Sequence, residues 1–325
     1  MKYPPLKVWL ITFIFITGVM TALYQYRKEV DHFFFTKPIE VAFQKATIDP
    51  GDIKVVLLLS SHGHRALGDP ERLEKLMFEK YGAKFSFIKV FKQRAEFEDF
   101  ANNEYLIKQI NDLAPDYVIL QEGHIFFRKP KKNLQNRTLH LFGLKDIHLI
   151  TYLKGLAFGF ENYYDYDQNI DSIKDSRIGD STLIRKWVTD HKKIKAKNYA
   201  WKKFSKSIKG KKIITSIPLP NELEQKMNKK RNAKKFKKLI AKTRSFGQFK
   251  FFIDEHDLPY RMYLDVRHMN LEGQAIYSNW FIEKLYEYHT LLKKRQELKK
   301  QKRRMLKRKN NLKPNNKPNT EKKNG

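Results

Sequence analysis

The residues best suited to chemistry lie near the carboxyl end of the chain, in the segment Asp265-Val-Arg-His268-Met-Asn-Leu-Glu-Gly273. If Asp265 lies on the loop that enters the last helix, its carboxylate can accept the Nδ1–H of His268. That contact would leave Nε2 of His268 as a general base. The structural alternative is that Asp265 is the N-cap of the last helix and His268 an incidental residue of its first turn.

A general base needs a nucleophile, and Ser61 is the natural candidate. It follows an apolar segment that predicts a buried strand, and a serine on a tight turn after a strand presents its hydroxyl to a cleft. Ser60 and Ser61 could instead only cap the turn, because serine is common after strands. His62 and His64 could contact substrate or form a metal pair, but no third ligand accompanies them, and we expect no metal.

Strands alternate with helices along the body of the chain. Apolar segments predict strands at 52–61, 85–91, 117–121, 212–217 and about 249–253, and helical periodicity predicts helices at 70–81, 97–113, 233–244 and 273–292. This alternation predicts an α/β fold, a flavodoxin-like three-layer α/β/α sandwich with a mostly parallel sheet. The domain would span 52–292, with a largely helical inserted region at about 129–209.

Ligands of parallel sheets bind beyond the carboxyl ends of the strands. The segments Ser60-Ser61-His62-Gly63 and Gln121-Glu122-Gly123-His124 follow the first and third predicted strands. Both should therefore lie at the same edge of the sheet, where Ser61 could meet His268.

Three sequence blocks resemble the SGNH/GDSL hydrolases. Asp-x-x-His-x-Asn-x-x-Gly before an amphipathic helix is similar to their last motif block, especially in membrane-anchored members associated with acylation of cell-envelope polymers. Leu59-Ser60-Ser61-His62 resembles the first block, and Pro115 to Gly123 resembles the third. The resemblance covers 52–292 in order and spacing, with the inserted region unmatched.

The resemblance implies a Ser61-His268-Asp265 triad without a cofactor. The protein would be an exported, membrane-tethered serine esterase or O-acyltransferase acting on acyl esters, in particular acetyl esters, of cell-envelope glycans. A membrane-bound acyltransferase would be a possible partner. The alternative is a catalytically degenerate SGNH-like module that binds a polyanion or a partner protein.

The oxyanion region departs from the family pattern. Leu59 stands where the family has a glycine, Lys92-Gln93-Arg94 stands near the second-block glycine, and Gly123-His124-Ile125-Phe126 replaces Gly-x-Asn-Asp. The departures leave several candidates for oxyanion or substrate contacts: Ser60, His62, Gly63, Gln93, Arg94, Gly123, His124 and Asn270. Loss of one oxyanion donor costs about 100- to 1000-fold in rate, so these positions decide between the two functions.

The N-terminal segment predicts an exported protein. Residues 8–24 form an uncharged, mainly apolar run of 17 residues with Trp9 and Tyr24 at its ends. This length and these aromatic ends are typical of a transmembrane helix, and the alternative is a cleaved signal peptide. We expect a membrane anchor at 1–28 and a linker at 29–51. The protein would be a single-pass protein of the cell membrane with an extracytoplasmic domain on the periplasmic side.

The charge is concentrated in the C-terminal tail. The chain carries a formal net charge of +31, and residues 293–325 contain fifteen Lys or Arg and two Glu. Such a composition predicts a mostly disordered tail, of which the first part could continue the preceding helix, and it favours polyanions as partners. No nucleic-acid-binding motif accompanies the charge, so we expect no specific nucleic acid. The chain has no cysteine, which excludes disulfides and a thiol nucleophile.

Overall fold

The computed structural model describes residues 5–31, 36–46, 48–91, 97–121, 200–221, 241, 249–254, 256–265 and 267–311. The chain divides into two compact units, Met1–Trp280 and Phe281–Gly325. Almost all of the predicted helix at 233–244 and of the inserted region at 129–209 lies outside the described residues. No cis peptide bond occurs in the described part of the chain.

Five parallel strands form one sheet in the order β2-β1-β3-β4-β5. The strands are β1 Ile53–Leu59, β2 Phe85–Phe91, β3 Tyr117–Gln121, β4 Lys211–Thr215 and β5 Lys250–Phe252. All five lie within the strands that the sequence predicts, or one residue outside them. The α/β class and the parallel sheet are therefore confirmed.

The described helices are α1 Leu6–Asp31, α2 Lys37–Lys45, α3 Ser61–Ala66, α4 Pro70–Tyr81, α5 Phe97–Ala101, α6 Glu104–Leu113, α7 Ala200–Ser207 and α8 Leu271–Asn311, with a short 3₁₀ helix at Tyr260–Met262. Helix α4 begins and ends where proline and glycine predict. Pro70 is its first residue and Gly82 ends it in the left-handed conformation with φ 60°.

Both faces of the sheet are apolar, as parallel strands covered by helices require. On one face, Val56, Leu58, Val118 and Leu120 join a buried cluster that also contains side chains of α2, α5, α6 and α7. The alternate residues of the same strands, such as Val55 and Leu57, are also fully buried. Because both faces are buried, apolar and polar residues do not alternate along these strands. The strands are predicted from continuous apolar runs instead.

Three boundaries differ from the sequence expectations. The predicted helix at 97–113 is two helices, because the Asn103 side chain accepts the N–H of Leu106 (2.8 Å) and caps a new helix. The predicted linker at 29–51 contains α2, whose Ile39 is fully buried in the cluster. Helix α8 continues to Asn311, through most of the stretch predicted to be disordered, because Lys, Arg, Gln, Glu and Leu all have high helix propensity.

Helix α1 exposes large apolar side chains. Trp9, Phe13 and Phe15 are between 59% and 70% accessible to solvent. Among the helices that the structure describes, none combines the length and the apolar content needed to cross a membrane.

Candidate active site

The candidate site lies where the strand order reverses. Strands β1 and β3 are neighbours, and the chain leaves them toward opposite sides of the sheet, to β2 and to β4. Such a switch point opens a crevice at the carboxyl ends of the two strands, which is where ligands of open parallel sheets bind. Ser60 follows the last residue of β1 and Gln121 is the last residue of β3.

The buried side chain of Gln121 connects these two strand ends. Its Oε1 accepts three hydrogen bonds: from the Ser60 hydroxyl (2.7 Å), from the Ser60 N–H (3.3 Å) and from the Gly63 N–H (3.2 Å). Its Nε2 lies 3.2 Å from Nδ1 of His62. A Cβ at position 63 would lie 2.8 Å from both Gln121 Oε1 and Leu59 Cδ2, so any residue larger than glycine would displace these side chains. Sequence reasoning placed Gln121 at the correct edge but did not identify it as a site residue.

Ser61 is the half-buried first residue of α3. Ser60 donates its hydroxyl to Gln121, whereas the Ser61 hydroxyl makes no hydrogen bond within the described part of the chain, including to His268. The ring of the next residue, His62, lies 6.5 Å from the ring of His268, edge to face at 87°. Ser61 and His268 therefore lie at the same edge of the sheet, and catalytic hydrogen bonds often tighten only in the complex with substrate.

Asp265 makes two hydrogen bonds with His268 and one with Arg267. Its Oδ2 lies 2.7 Å from His268 Nδ1, and its Oδ1 accepts the backbone N–H groups of Arg267 and His268, each at 2.7 Å. Burial raises the pKa of the Asp265 carboxyl. The hydrogen bond from His268, the charge of this imidazole when it is protonated and the two backbone donors outweigh that effect and lower the pKa to about 2. An ionised carboxylate accepts only, so Nδ1 of His268 carries a proton and Nε2 of the neutral ring is a base.

Asn270, and not Asp265, caps the last helix. The Asn270 Oδ1 accepts the N–H of Gly273 (3.0 Å) and its Nδ2 donates to the carbonyl of Arg261 (2.7 Å). A Cβ on Gly273 would lie 2.5 Å from the carbonyl oxygen of Met262, so only glycine lets the helix begin this close to the preceding loop. The N-cap interpretation of Asp265 is therefore wrong, and the described contacts of Asn270 are structural.

The first turns of α8 fix the His268 loop against the Ser61 side of the site. Gln274 Nε2 donates to the carbonyl of Arg65 (3.0 Å), and the Ser278 hydroxyl accepts the N–H of Gly68 (3.1 Å). The buried Tyr277 hydroxyl donates to the carbonyl of Ser216 (2.6 Å) at the end of β4. The loop is thus connected to α3, to the segment that follows α3 and to the sheet edge.

Of the remaining predicted site residues, two lie at the site and four lie outside the described part of the chain. The N–H of Gly63 is taken by Gln121, and His62 lies beside both Gln121 and His268. Gln93, Arg94, Gly123 and His124 lie outside the described residues.

The two histidines of α3 point in different directions. His64 is buried and stacks on Phe91 with ring centroids 4.2 Å apart, whereas His62 lies beside His268. Within the described ranges, no three histidine, aspartate or glutamate side chains are grouped closely enough to hold a metal ion. The metal-pair interpretation of His62 and His64 therefore has no geometric support.

A second aspartate–histidine pair, which sequence reasoning missed, lies near the end of β5. Nδ1 of His256 contacts Oδ1 of Asp254, whose side chain is fully buried, and the backbone N–H of Asp254 donates to the Ser216 hydroxyl (2.6 Å). Three strand spacings, or about 14 Å, separate the ends of β1 and β5. The Asp-x-His spacing at 254–256 was the available sequence signal.

Comparison with known proteins adds no relative. The sequence matches no protein-family model, and no curated protein is similar enough to count as a homologue.

The depressed pKa of Asp265 makes a prediction about acid stability. An unfolded aspartate has a pKa near 3.9, so the ionised carboxylate stabilises the folded state by about 2–3 kcal/mol above pH 4, and this contribution is lost as the pH falls toward 2. Asp265→Asn should therefore lower the free energy of unfolding at pH 7 by about that amount, and the difference from wild type should shrink below pH 4. Denaturant unfolding followed by circular dichroism between pH 7 and pH 2 measures both effects.

Glu79→Gln is the matched control. The Glu79 carboxylate is 56% exposed and lies 3.9 Å from Nζ of Lys75, which is 75% exposed and one turn earlier in α4. Its substitution should change stability by less than about 0.5 kcal/mol at any pH. A pH-independent loss in Asp265→Asn would contradict the assignment.

Proposed function

We propose that the protein is a serine esterase or O-acyltransferase that uses Ser61, His268 and Asp265. One observation carries the proposal: Asp265 binds Nδ1 of His268, and the same imidazole lies beside the residue that follows Ser61. A carboxylate, an imidazole and a serine hydroxyl at the switch point of a parallel sheet are the parts that acyl transfer requires.

The chemistry follows from the tautomer of His268. Nε2 takes the Ser61 proton as the hydroxyl oxygen attacks the ester carbonyl carbon, and Asp265 stabilises the imidazolium that forms. The imidazolium then donates its proton to the leaving alkoxide, which leaves an acyl group on Ser61. Water or an acceptor hydroxyl, deprotonated by Nε2, attacks this ester, and the proton returns to Ser61. Hydrolysis and acyl transfer differ only in that last nucleophile.

The strand order supports the flavodoxin-like three-layer sandwich that the sequence predicts. Flavodoxin-like sheets have the order 2-1-3-4-5, which is the order of the five strands here. Helices cover one face in the cluster that contains α2, α5, α6 and α7, and α4 contacts β2. A three-layer sandwich of the SGNH type would place its triad at this edge. The resemblance favours acetyl esters of cell-envelope glycans as substrates.

The first test compares the two adjacent serines. Purified full-length chain should hydrolyse p-nitrophenyl acetate, and Ser61→Ala should lower kcat by at least about 1000-fold, as loss of a triad nucleophile does. Ser60→Ala is the matched control, because it removes a hydroxyl that already donates to Gln121, and its kcat should stay within about tenfold of wild type. A Ser61→Ala variant with wild-type turnover would exclude the triad.

The second test uses the two aspartate–histidine pairs. His268→Gln should lower kcat by at least about 1000-fold, since it removes the base next to Ser61. His256→Gln removes the same type of side chain from an equally paired aspartate about 14 Å away along the edge, and should leave kcat within threefold. An equal loss of kcat in both variants would mean that the substitutions act by disturbing the fold and not by removing a catalytic base.

A polyanion-binding module is the second candidate function. Residues 293–307 of α8 are all exposed and contain nine Lys or Arg and one Glu. This charge favours anionic polymers or lipid headgroups. A chain that is folded and inert toward esters, yet bound by polyphosphate at physiological salt, would favour this function over the enzyme.

We further propose that α1 attaches the domain to a membrane. The support is its exposed apolar surface, in which Leu10, Ile11, Phe13, Ile14 and Phe15 are each more than 60% accessible. Soluble proteins rarely expose contiguous apolar surface of this kind without a partner.

Deletion of residues 1–31 tests this attachment. The deletion leaves α2 in place, so the truncated chain should fold and move from the membrane fraction to the soluble fraction. N-terminal sequencing of the full-length protein distinguishes an anchor from a cleaved signal peptide. Full-length, uncleaved protein in the soluble fraction would exclude the anchor.

A further inference from the structure

The side-chain amide of Gln121 has a defined orientation. Three donors converge on one of its terminal atoms: the hydroxyl and N–H of Ser60 and the N–H of Gly63. An NH₂ group cannot accept these bonds, so that atom is the carbonyl oxygen Oε1. The NH₂ group therefore faces Nδ1 of His62, 3.2 Å away.

This orientation determines the tautomer of His62. Because Nε2 of Gln121 can only donate, Nδ1 of His62 must accept, and the neutral imidazole carries its proton on Nε2. His268 has the opposite tautomer, with its proton on Nδ1 toward Asp265. Two imidazoles whose rings are 6.5 Å apart thus carry complementary groups, an Nε2 that accepts on His268 and a buried Nε2–H that donates on His62.

The proposed reaction needs such a donor. Attack of Ser61 on an ester places negative charge on the carbonyl oxygen, and this charge must be stabilised by N–H or O–H groups. The N–H groups of Ser60 and Gly63 and the hydroxyl of Ser60 already donate to Gln121. His62 cannot serve as a second base through Nε2, because that atom carries the proton.

We infer that Gln121 is a positioning residue that fixes His62 as the Nε2–H tautomer, and that His62 donates this N–H to the oxyanion formed when Ser61 attacks. The inference deepens the proposed function and rests on it. It assigns to a side chain adjacent to the nucleophile the role of the side-chain donor that the sequence motifs lack. Removal of the donor should therefore act on kcat and leave KM nearly unchanged.

The kinetic experiment uses variants of the full-length chain with p-nitrophenyl acetate as the probe. His62→Leu should lower kcat by about 100- to 1000-fold, and His62→Gln, whose amide can donate, should recover about tenfold of that loss. Gln121→Glu keeps an oxygen toward Ser60 and Gly63 but presents an acceptor to His62. In this variant, neutral His62 carries its proton on Nδ1, so kcat should fall with rising pH where wild-type kcat does not.

Asn111→Ala is the matched control for Gln121. Asn111 also joins two segments with one side-chain amide, donating to the carbonyl of Ser207 and accepting the N–H of Lys209, both at 2.8 Å. It lies after neither β1 nor β3 but in α6, away from the site. Its substitution should lower stability and leave kcat per folded molecule within about twofold.

The tautomer of His62 can be measured by a method that does not depend on enzymatic activity. Nitrogen NMR of the chain labelled with ¹⁵N-histidine, with His62→Gln to assign the resonance, should show His62 protonated at Nε2 in the wild type and at Nδ1 in Gln121→Glu at high pH. A wild-type His62 protonated at Nδ1 would overturn the inference even in an active esterase. So would an active wild type whose His62→Leu variant retains kcat within threefold. An inert, folded wild type would overturn the proposed function itself, and with it the role of His62 as oxyanion donor.

Discussion

The hydrogen bonds of the Gln121 side chain are the interaction on which the site depends. Strand β3 is apolar and fully buried, and Gln121 is its last residue. An unsatisfied polar group of a buried primary amide costs about 1–3 kcal/mol at low dielectric. Gln121 makes four hydrogen bonds across the switch point to residues 60–63 after β1, three through its oxygen and one through its nitrogen. One side chain therefore fixes the turn, holds the hydroxyl of Ser60 and sets the protons of a neighbouring imidazole. The orientation of Ser61 follows from that turn, because Ser61 lies between two residues whose backbones are held.

The opposite half of the site is organised by a carboxylate in place of an amide. Asp265 accepts two backbone N–H groups and one imidazole nitrogen, so the same bonds that shape the loop also hold His268. A change at Asp265 would therefore alter both the fold of the loop and the orientation of the imidazole. The loop is then fixed by residues from the first three turns of α8. Gln274 reaches the last turn of α3, and Ser278 reaches the segment that follows it. The two halves come from sequence positions about two hundred residues apart, and they are brought together by helix–loop hydrogen bonds and not by sheet pairing.

Much of this arrangement could be predicted from sequence. Continuous apolar runs such as Val55–Leu59 predict buried parallel strands, and the carboxyl-end rule places Ser61 and Gln121 at one edge. The spacing of Asp265 and His268 predicts their hydrogen bond. Two features were not predictable. The helix break rests on a single capping side chain, Asn103, and the same sequence also fits one continuous helix. Helix α2 is held in the core by Ile39, and one apolar residue does not distinguish a helix from a linker. The role of Gln121 was not predictable for a different reason: its partners lie 58 to 61 residues away and two of them are backbone N–H groups, for which a sequence pattern carries no signal.

Gly63 makes this arrangement difficult to alter one residue at a time. Any side chain at position 63 meets the oxygen of Gln121, the methyl group of Leu59 and Ile217 within about the same 3 Å. Loss of the glutamine alone would not make room, because the Leu59 methyl group would still lie 2.8 Å from a new Cβ. Positions 59, 63, 121 and 217 are therefore sterically coupled. In any distant relative of this protein, a larger residue at position 63 should be accompanied by smaller or rearranged side chains at the other three positions.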